Sequence, residues 1–161
     1  MIDVRITVRG LDKLEATLRD PAVIQGPLGR FLERSAQVVE ARAKERVPVD
    51  TGRLRTSISR RVEPHRRRAV VGSKLVYARP VEEGRRPGIW PPVDALQPWA
   101  RRHGFPAGRA GAFLVARAIS RRGIKAQRYL RPALVESVDD VRGFLEDMAR
   151  GIETEFGRRF R

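Results

Sequence analysis

The sequence predicts an α+β domain, in which an antiparallel sheet of roughly four strands packs with a long helix from the N-terminal half and with C-terminal helices. Three observations carry this. Ile2, Val4, Ile6 and Val8 alternate strictly with polar residues, the period of a half-buried strand. Leu28, Phe31, Leu32, Ser35, Val39 and Ala43 recur at three- and four-residue steps, lining one face of a helix. Between residues 54 and 81 short β-prone runs alternate with turn residues, and helical spacing returns after residue 92. At 161 residues, a single domain over residues 1–161 is the default.

In chain order, Gly10 ends the first strand, and Asp12 with Glu15 resembles a capping box opening a short helix with Leu14 and Leu18 inward. Residues 21–27 form a connector. The helix over residues 28–46 takes Pro27 as its first-turn proline and stops at Pro48. Asp50-Thr51-Gly52 reads as a tight turn, with Asp or Thr oxygens bonding nearby amides and Gly at positive φ. Residues 54–62 and 69–72 are expected as strands joined over residues 64–68, and residues 75–81 as a third with Pro80 near an edge. Residues 85–92 are a Pro-rich loop or arm. Val93, Leu96, Trp99, Ala100 and His103 then share a helix face closed by Gly104, and residues 113–122 make a second helix ended by Gly123. Residues 133–161 are a long helix with a basic tail. Its seam of Leu134, Val138, Val141, Leu145, Met148 and Ile152 is near heptad spacing, and its surface is acidic, including Asp139 and Asp140.

Charge is distributed unevenly. The chain carries +15, yet residues 53–131 alone hold twenty Lys/Arg against four Asp/Glu, a local +16. Nearly all cations of the whole chain are arginines, the only lysines being Lys13, Lys44, Lys74 and Lys125. Arginine forks grip phosphate and carboxylate bidentately. A GC-rich genome would also write Arg for Lys, but it would not cluster net charge in the middle.

The chemistry of an enzyme is not legible. No cysteine is present, which removes disulfides, thiol catalysis and thiolate metal sites and fits synthesis in a reducing cytosol. No continuous apolar run suggests a secretory signal or a membrane span. His65 and His103 fall in different elements, so no helical zinc pair forms; His65 reads as a solvated loop residue and His103 as a cation at a helix C-terminus. No phosphate loop or nucleophile elbow occurs. The basic middle offers only Glu63, Glu82, Glu83 and Asp94, and adjacent Glu82 and Glu83 would point to opposite faces of a strand. The expectation is a protein without catalytic residues, metal or cofactor.

Arginine clusters are the better candidates. Arg60-Arg61 and Arg66-Arg67-Arg68 flank one hairpin turn and could form a positive tip; Arg85-Arg86, Arg101-Arg102 and Arg121-Arg122 add three pairs. Such a surface suits DNA phosphates, bound without regard to sequence. It equally suits carboxylates of a neighbouring copy, such as the acidic last helix, and that reading is preferred. Sparse aromatics, 6% of the chain, argue against a single-strand stacking platform. Trp90, in its proline-bound loop, is an anchor for protein contact, and Trp99 is expected in the core.

The order of segments resembles the neck or tail-completion proteins of long-tailed, lambda-like bacteriophages, small minor tail proteins that join head to tail. The resembling residues are Gly10-Leu11-Asp12-Lys13-Leu14, Val49-Asp50-Thr51-Gly52-Arg53-Leu54-Arg55, Val70-Val71-Gly72-Ser73, Tyr77-Ala78-Arg79-Pro80-Val81-Glu82-Glu83-Gly84, Arg86-Pro87-Gly88-Ile89-Trp90-Pro91-Pro92 and Tyr129-Leu130-Arg131-Pro132-Ala133-Leu134. Together they span roughly residues 2–140. Arg85 follows Glu83-Gly84 where the family often has Gly-Thr after the Glu, and the arginine load is heavier than the family's. The resemblance implies a non-enzymatic virion protein, assembled in the host cytoplasm, that forms a ring completing or terminating the tail tube and docking it to the head connector. A hexamer is favoured, with a dodecamer as second choice. Partners would be further copies, head-closure or connector and tail-tube proteins, and passing genomic DNA, with no membrane. A closing ring needs two different patches on each subunit, which a basic middle and an acidic last helix would supply. Assembly contacts are expected at Asp50, Thr51, Gly52, Tyr77, Glu82, Glu83, Trp90, Asp139 and Asp140. Arg60, Arg61, Arg66, Arg67, Arg68, Arg85 and Arg86 would face DNA or an acidic partner. The alternative is a sequence-neutral DNA-binding protein that acts through its central arginines.

Overall fold

The computed structural model describes residues 21–159. The expected strand over residues 2–8 and the short helix after it lie outside the described residues. What remains is α+β and mostly helical, built around one long helix, α1 (Pro21–Arg46). Its buried stripe of Leu32, Ala36, Val39 and Ala43, continued by Val47 just past its end, has the predicted helical spacing. Helix α1 begins earlier than expected, so Pro27 sits inside it rather than in its first turn. An interior proline loses a hydrogen bond and crowds the preceding turn. Tertiary packing offsets that cost here: Val23 is buried, and α1 packs along α7 so closely that a Cβ added at Gly151 would stand 3.7 Å from Pro27.

Gly52, at φ 74°, turns the chain into α2 (Arg53–Ser57), a single helical turn where a strand was expected from residue 54. Leu54 and Ile58 are both buried. Their four-residue spacing fits one turn of helix as well as two strand repeats, so the period could not separate the two. The predicted hairpin follows, β1 (Ser59–Glu63) antiparallel to β2 (Arg68–Gly72), in a register from Ser59↔Gly72 to Glu63↔Arg68. A 3-10 turn, Pro64–Arg66, and Arg67 at φ 50° close it.

The expected third strand is instead helix α3 (Ala78–Glu83). Pro80 falls in its first turn, where the missing N–H would have no helical partner anyway. The sheet therefore has two strands, not four, among the described residues.

A second 3-10 turn, Asp94–Leu96, leads into α4 (Gln97–Arg102), and α5 (Arg109–Arg122) packs back on both. The predicted C-terminal helix is two helices, α6 (Leu130–Glu136) and α7 (Val138–Arg159), broken at Ser137. Buried Ser137 donates its hydroxyl to the Ala133 carbonyl at 2.7 Å, competing with the helical ladder at the break.

Helix α1 contacts α6, α7 and both strands. The main core cluster gathers Ala43, Val47, Leu54, Ile58, Ala78, Tyr129 and Ala133, with Val71, Leu75, Val81 and Leu130 packed against it. Its small side chains let α1 and α6 approach closely.

Candidate functional site

The segments read from the sequence as assembly surface turn out to do much of their work inside the chain. Asp50 does not bond the amides of its own turn. Its carboxylate accepts a hydrogen bond from Arg102 Nη2 at 2.5 Å, tying the loop before α2 to the end of α4. The Arg102 guanidinium holds Asp50 below the usual carboxylate range. Thr51 stays exposed, no side chain caps the start of α2, and the Thr56 hydroxyl within it donates back to the Gly52 and Arg53 carbonyls.

Glu82 and Glu83 diverge because they sit on a helix, not on a strand. Glu83 pairs with Arg79 at 2.8 Å on the surface. Glu82 reaches the start of α6, where Oε2 accepts from the Tyr129 and Leu130 amides at 2.7 and 2.8 Å and Oε1 from Arg131 N at 3.0 Å. One carboxylate thus satisfies three N–H groups that a helix start leaves without partners, favourably placed at the positive end of the helix dipole. Tyr129 is fully buried beside this bond, and burial, aided by the Glu82 charge, pushes its phenol up. Tyr77 is exposed at the start of α3.

The arm over residues 85–92 docks on its own chain. Arg85 and Ile124 form a β-bridge through reciprocal N–H···O bonds of 2.9 and 2.8 Å, and Gly88 N donates to the Ser120 carbonyl. Gly84 and Gly123 permit it: both have φ near 75° with extended ψ, and a Cβ at Gly123 would stand 2.2 Å from the Arg85 carbonyl. Trp90 stacks on Phe113 at 5.4 Å and stays half exposed. Trp99 is a surface residue rather than a core one, stacked face to face on His103 at 3.9 Å. His103 sits at the C-terminal end of α4 with Nδ1 2.9 Å from the Trp99 carbonyl, and His65 is exposed in the hairpin turn; both positions are those expected.

The acidic last helix spends its carboxylates on α1. Asp147 pairs with Arg34 at 2.6 Å, Asp140 with Arg42 at 2.7 Å, and Glu136 at the end of α6 with Arg46. Arg34 also lies over the Phe144 ring. Asp139 pairs locally with Arg142. The preferred pairing of these acids with a neighbour's arginines is met within the chain instead for Glu136, Asp140 and Asp147. Arg34 and Arg150 hold Asp147 below the ordinary range. Burial pushes Glu40 up, but bonds from Lys44 and Arg60 outweigh it and hold it low.

The hairpin tip is likewise partly neutralised. Arg60 bonds Glu33 and Glu40 at 2.6 and 2.7 Å, and Arg68, with Arg61 and Arg66 further off, surrounds Glu63. Arg67 and Arg86 carry no ion pair, and Arg85 bonds the Trp90 carbonyl at 3.4 Å. Missing from the sequence-predicted site residues are Arg117 and Lys125, which with Arg121 and Arg122 lie exposed on and just after α5 without a carboxylate partner. The signal was present in the spacing: Arg117 and Arg121 stand one helical turn apart, opposite buried Ala112, Val115 and Ala116. Among the described residues, no group of three or more His, Cys, Asp or Glu could hold a metal, and no helix is long and apolar enough to cross a membrane.

The first half of this chain, through α3, is similar in sequence to a family of bacteriophage tail components. Residues 11–84, a little under half of the chain, match the HK97-gp10-like family, described as "Bacteriophage HK97-gp10, putative tail-component". The match agrees with the neck and tail-completion resemblance. No curated protein and no solved structure matches the chain.

Proposed function

We propose that this protein is a structural, non-catalytic subunit of the phage neck, forming a ring that completes the tail tube and docks it to the head connector. Helices α1 to α3 match a tail-component family. The observation that carries ring formation is a pair of unlike apolar surfaces. Leu134, Val138 and Leu145 stand exposed along α6 and α7, on the predicted seam, while α1 occupies the neighbouring face through Asp140, Phe144, Asp147 and Gly151. Ile89, Trp90, Phe113 and Leu114 expose a second, aromatic patch on the α4–α5 half. A heterologous interface that closes by rotation joins two different patches of this kind, and exposed apolar groups on this scale mark contact surfaces. Six copies would match a six-fold tube. Assembly takes place in the host cytoplasm.

Light scattering on the purified chain tests this. A single closed copy number is expected, and Val138→Lys with Leu145→Lys should yield single subunits with an unchanged circular-dichroism spectrum. A wild-type chain that stays a single subunit at all concentrations and salts would overturn the reading; a DNA-binding protein acting alone would behave in that way.

A further inference from the structure

We infer that the exposed face at the C-terminal end of α5 binds the phosphate backbone of a nucleic-acid duplex. The surface is formed by Arg117, Arg121 and Arg122, which with Leu114 and Ala118 line an open hollow, and by Arg86 and Lys125 flanking the Arg85↔Ile124 bridge beside it. The hollow shares Leu114 with the aromatic patch offered for the ring, but the reading needs no second copy.

Three observations support it. The first is a shortage of anions. Of 19 acids in the chain, Asp3, Asp12, Glu15 and Asp20 precede the described residues, leaving fifteen. Among those fifteen, only Glu45, Glu146 and Glu153 neither pair with a cation nor accept a hydrogen bond. The first twenty residues balance their four acids with Arg5, Arg9, Lys13 and Arg19. A second copy therefore has little negative surface to offer, whereas a duplex presents a regular row of phosphates.

The second is local repulsion. Arg117 and Arg121 at i,i+4 and adjacent Arg122 repel one another, which slightly destabilises the helix unless an anion is present. Arg121 and Arg122 sit in its last turn, where the dipole offsets part of this. The third concerns strandedness. Single strands bind by stacking bases on aromatic faces, but Trp90 and Trp99 already stack on Phe113 and His103. Backbone contact without stacking fits a duplex.

The test is binding of a short random-sequence duplex DNA, followed by fluorescence anisotropy across about 50–200 mM salt. The control is a single strand of equal length. Wild type should bind the duplex in preference, with affinity falling steeply as salt rises. Combining Arg117→Gln, Arg121→Gln and Arg122→Gln should weaken binding at least about tenfold and flatten the log–log salt slope by about three, roughly one for each phosphate left without its arginine. Combining Arg61→Gln, Arg66→Gln and Arg67→Gln at the hairpin tip should change the slope by less than about one. Thermal melts of both variants should match wild type. The inference is overturned if wild type does not bind duplex at about 50 mM salt, if the tip variant loses binding while the α5 variant keeps it, or if the α5 variant loses self-association but not DNA. Light scattering on the same samples separates this from the ring: a single subunit that binds duplex through α5 would sink the ring alone.

Discussion

The two halves of this molecule treat charge in opposite ways. Along α1, α6 and α7 seven of the ten carboxylates meet an arginine of the same chain, as in Arg34–Asp147, Arg42–Asp140 and Arg46–Glu136. From residue 85 to 131 the cations outrun their partners, and the only acid, Asp94, sits 3.9 Å from Arg109. The first half is a scaffold with its electrostatics settled; the second offers charge to something else. What joins them is a mixture of backbone and side-chain bonds: Gln127 N donating to the Val81 carbonyl, the Glu82 cap on α6 and the Arg102–Asp50 ion pair, with the Arg85↔Ile124 bridge holding the arm beside this joint.

The joint is where the comparison breaks most easily. Gly123→Ala should destabilise the protein by about 3 kcal/mol, because the new Cβ meets the Arg85 carbonyl in a backbone conformation only glycine adopts readily. Urea unfolding would report the loss, and hydrogen exchange at the Arg85 and Ile124 amides would show whether the arm has undocked. Glu82→Ala should cost about 2 kcal/mol, since it leaves three N–H groups at the start of α6 without an acceptor. Rescue by Glu82→Gln should be partial, because a neutral amide oxygen is a weaker acceptor than a carboxylate.

Acid should separate the halves. The Asp147 pKa is lower folded than unfolded, so its contribution is complete above about pH 4 and disappears as pH falls through the lower, folded value. Glu40 behaves in the same sense. Acidification below about pH 4 should therefore loosen α7 from α1 before it disturbs α5, which carries no acid; amide chemical shifts along the two helices would show the order. The smallest effect belongs to Tyr129→Phe. The buried hydroxyl has no hydrogen-bond partner, so its removal should change stability by less than about 1 kcal/mol, with stabilisation the expected sign.

How much of this could be read beforehand depended on the range of the interaction. The hairpin, the positive φ at Gly52 and the glycine stop at Gly123 are local and were legible. Local pattern misled where two periods coincide, as at Leu54 and Ile58, and where β-prone Val76, Tyr77 and Val81 surround a first-turn proline. The long C-terminal seam was read correctly as a stripe, but not its exposure: α1 takes the adjacent face, leaving Leu134, Val138 and Leu145 outward. Site roles were least legible. The partners of Glu82 lie 47 to 49 residues away, and those of Arg60 lie on α1, so nothing nearby marks either as engaged. The free cations of α5 could have been found from spacing, but only the map of ion pairs distinguishes them from the partly neutralised tip.

Arginine-selective dicarbonyl labelling, read by mass spectrometry residue by residue, tests the division between the halves most directly. Arg86, Arg117, Arg121 and Arg122 should react first and be shielded by duplex DNA, while Arg34, Arg42, Arg46 and Arg60 react slowly with or without it. Equal labelling of both groups, or DNA shielding confined to Arg61, Arg66 and Arg67, would contradict the account.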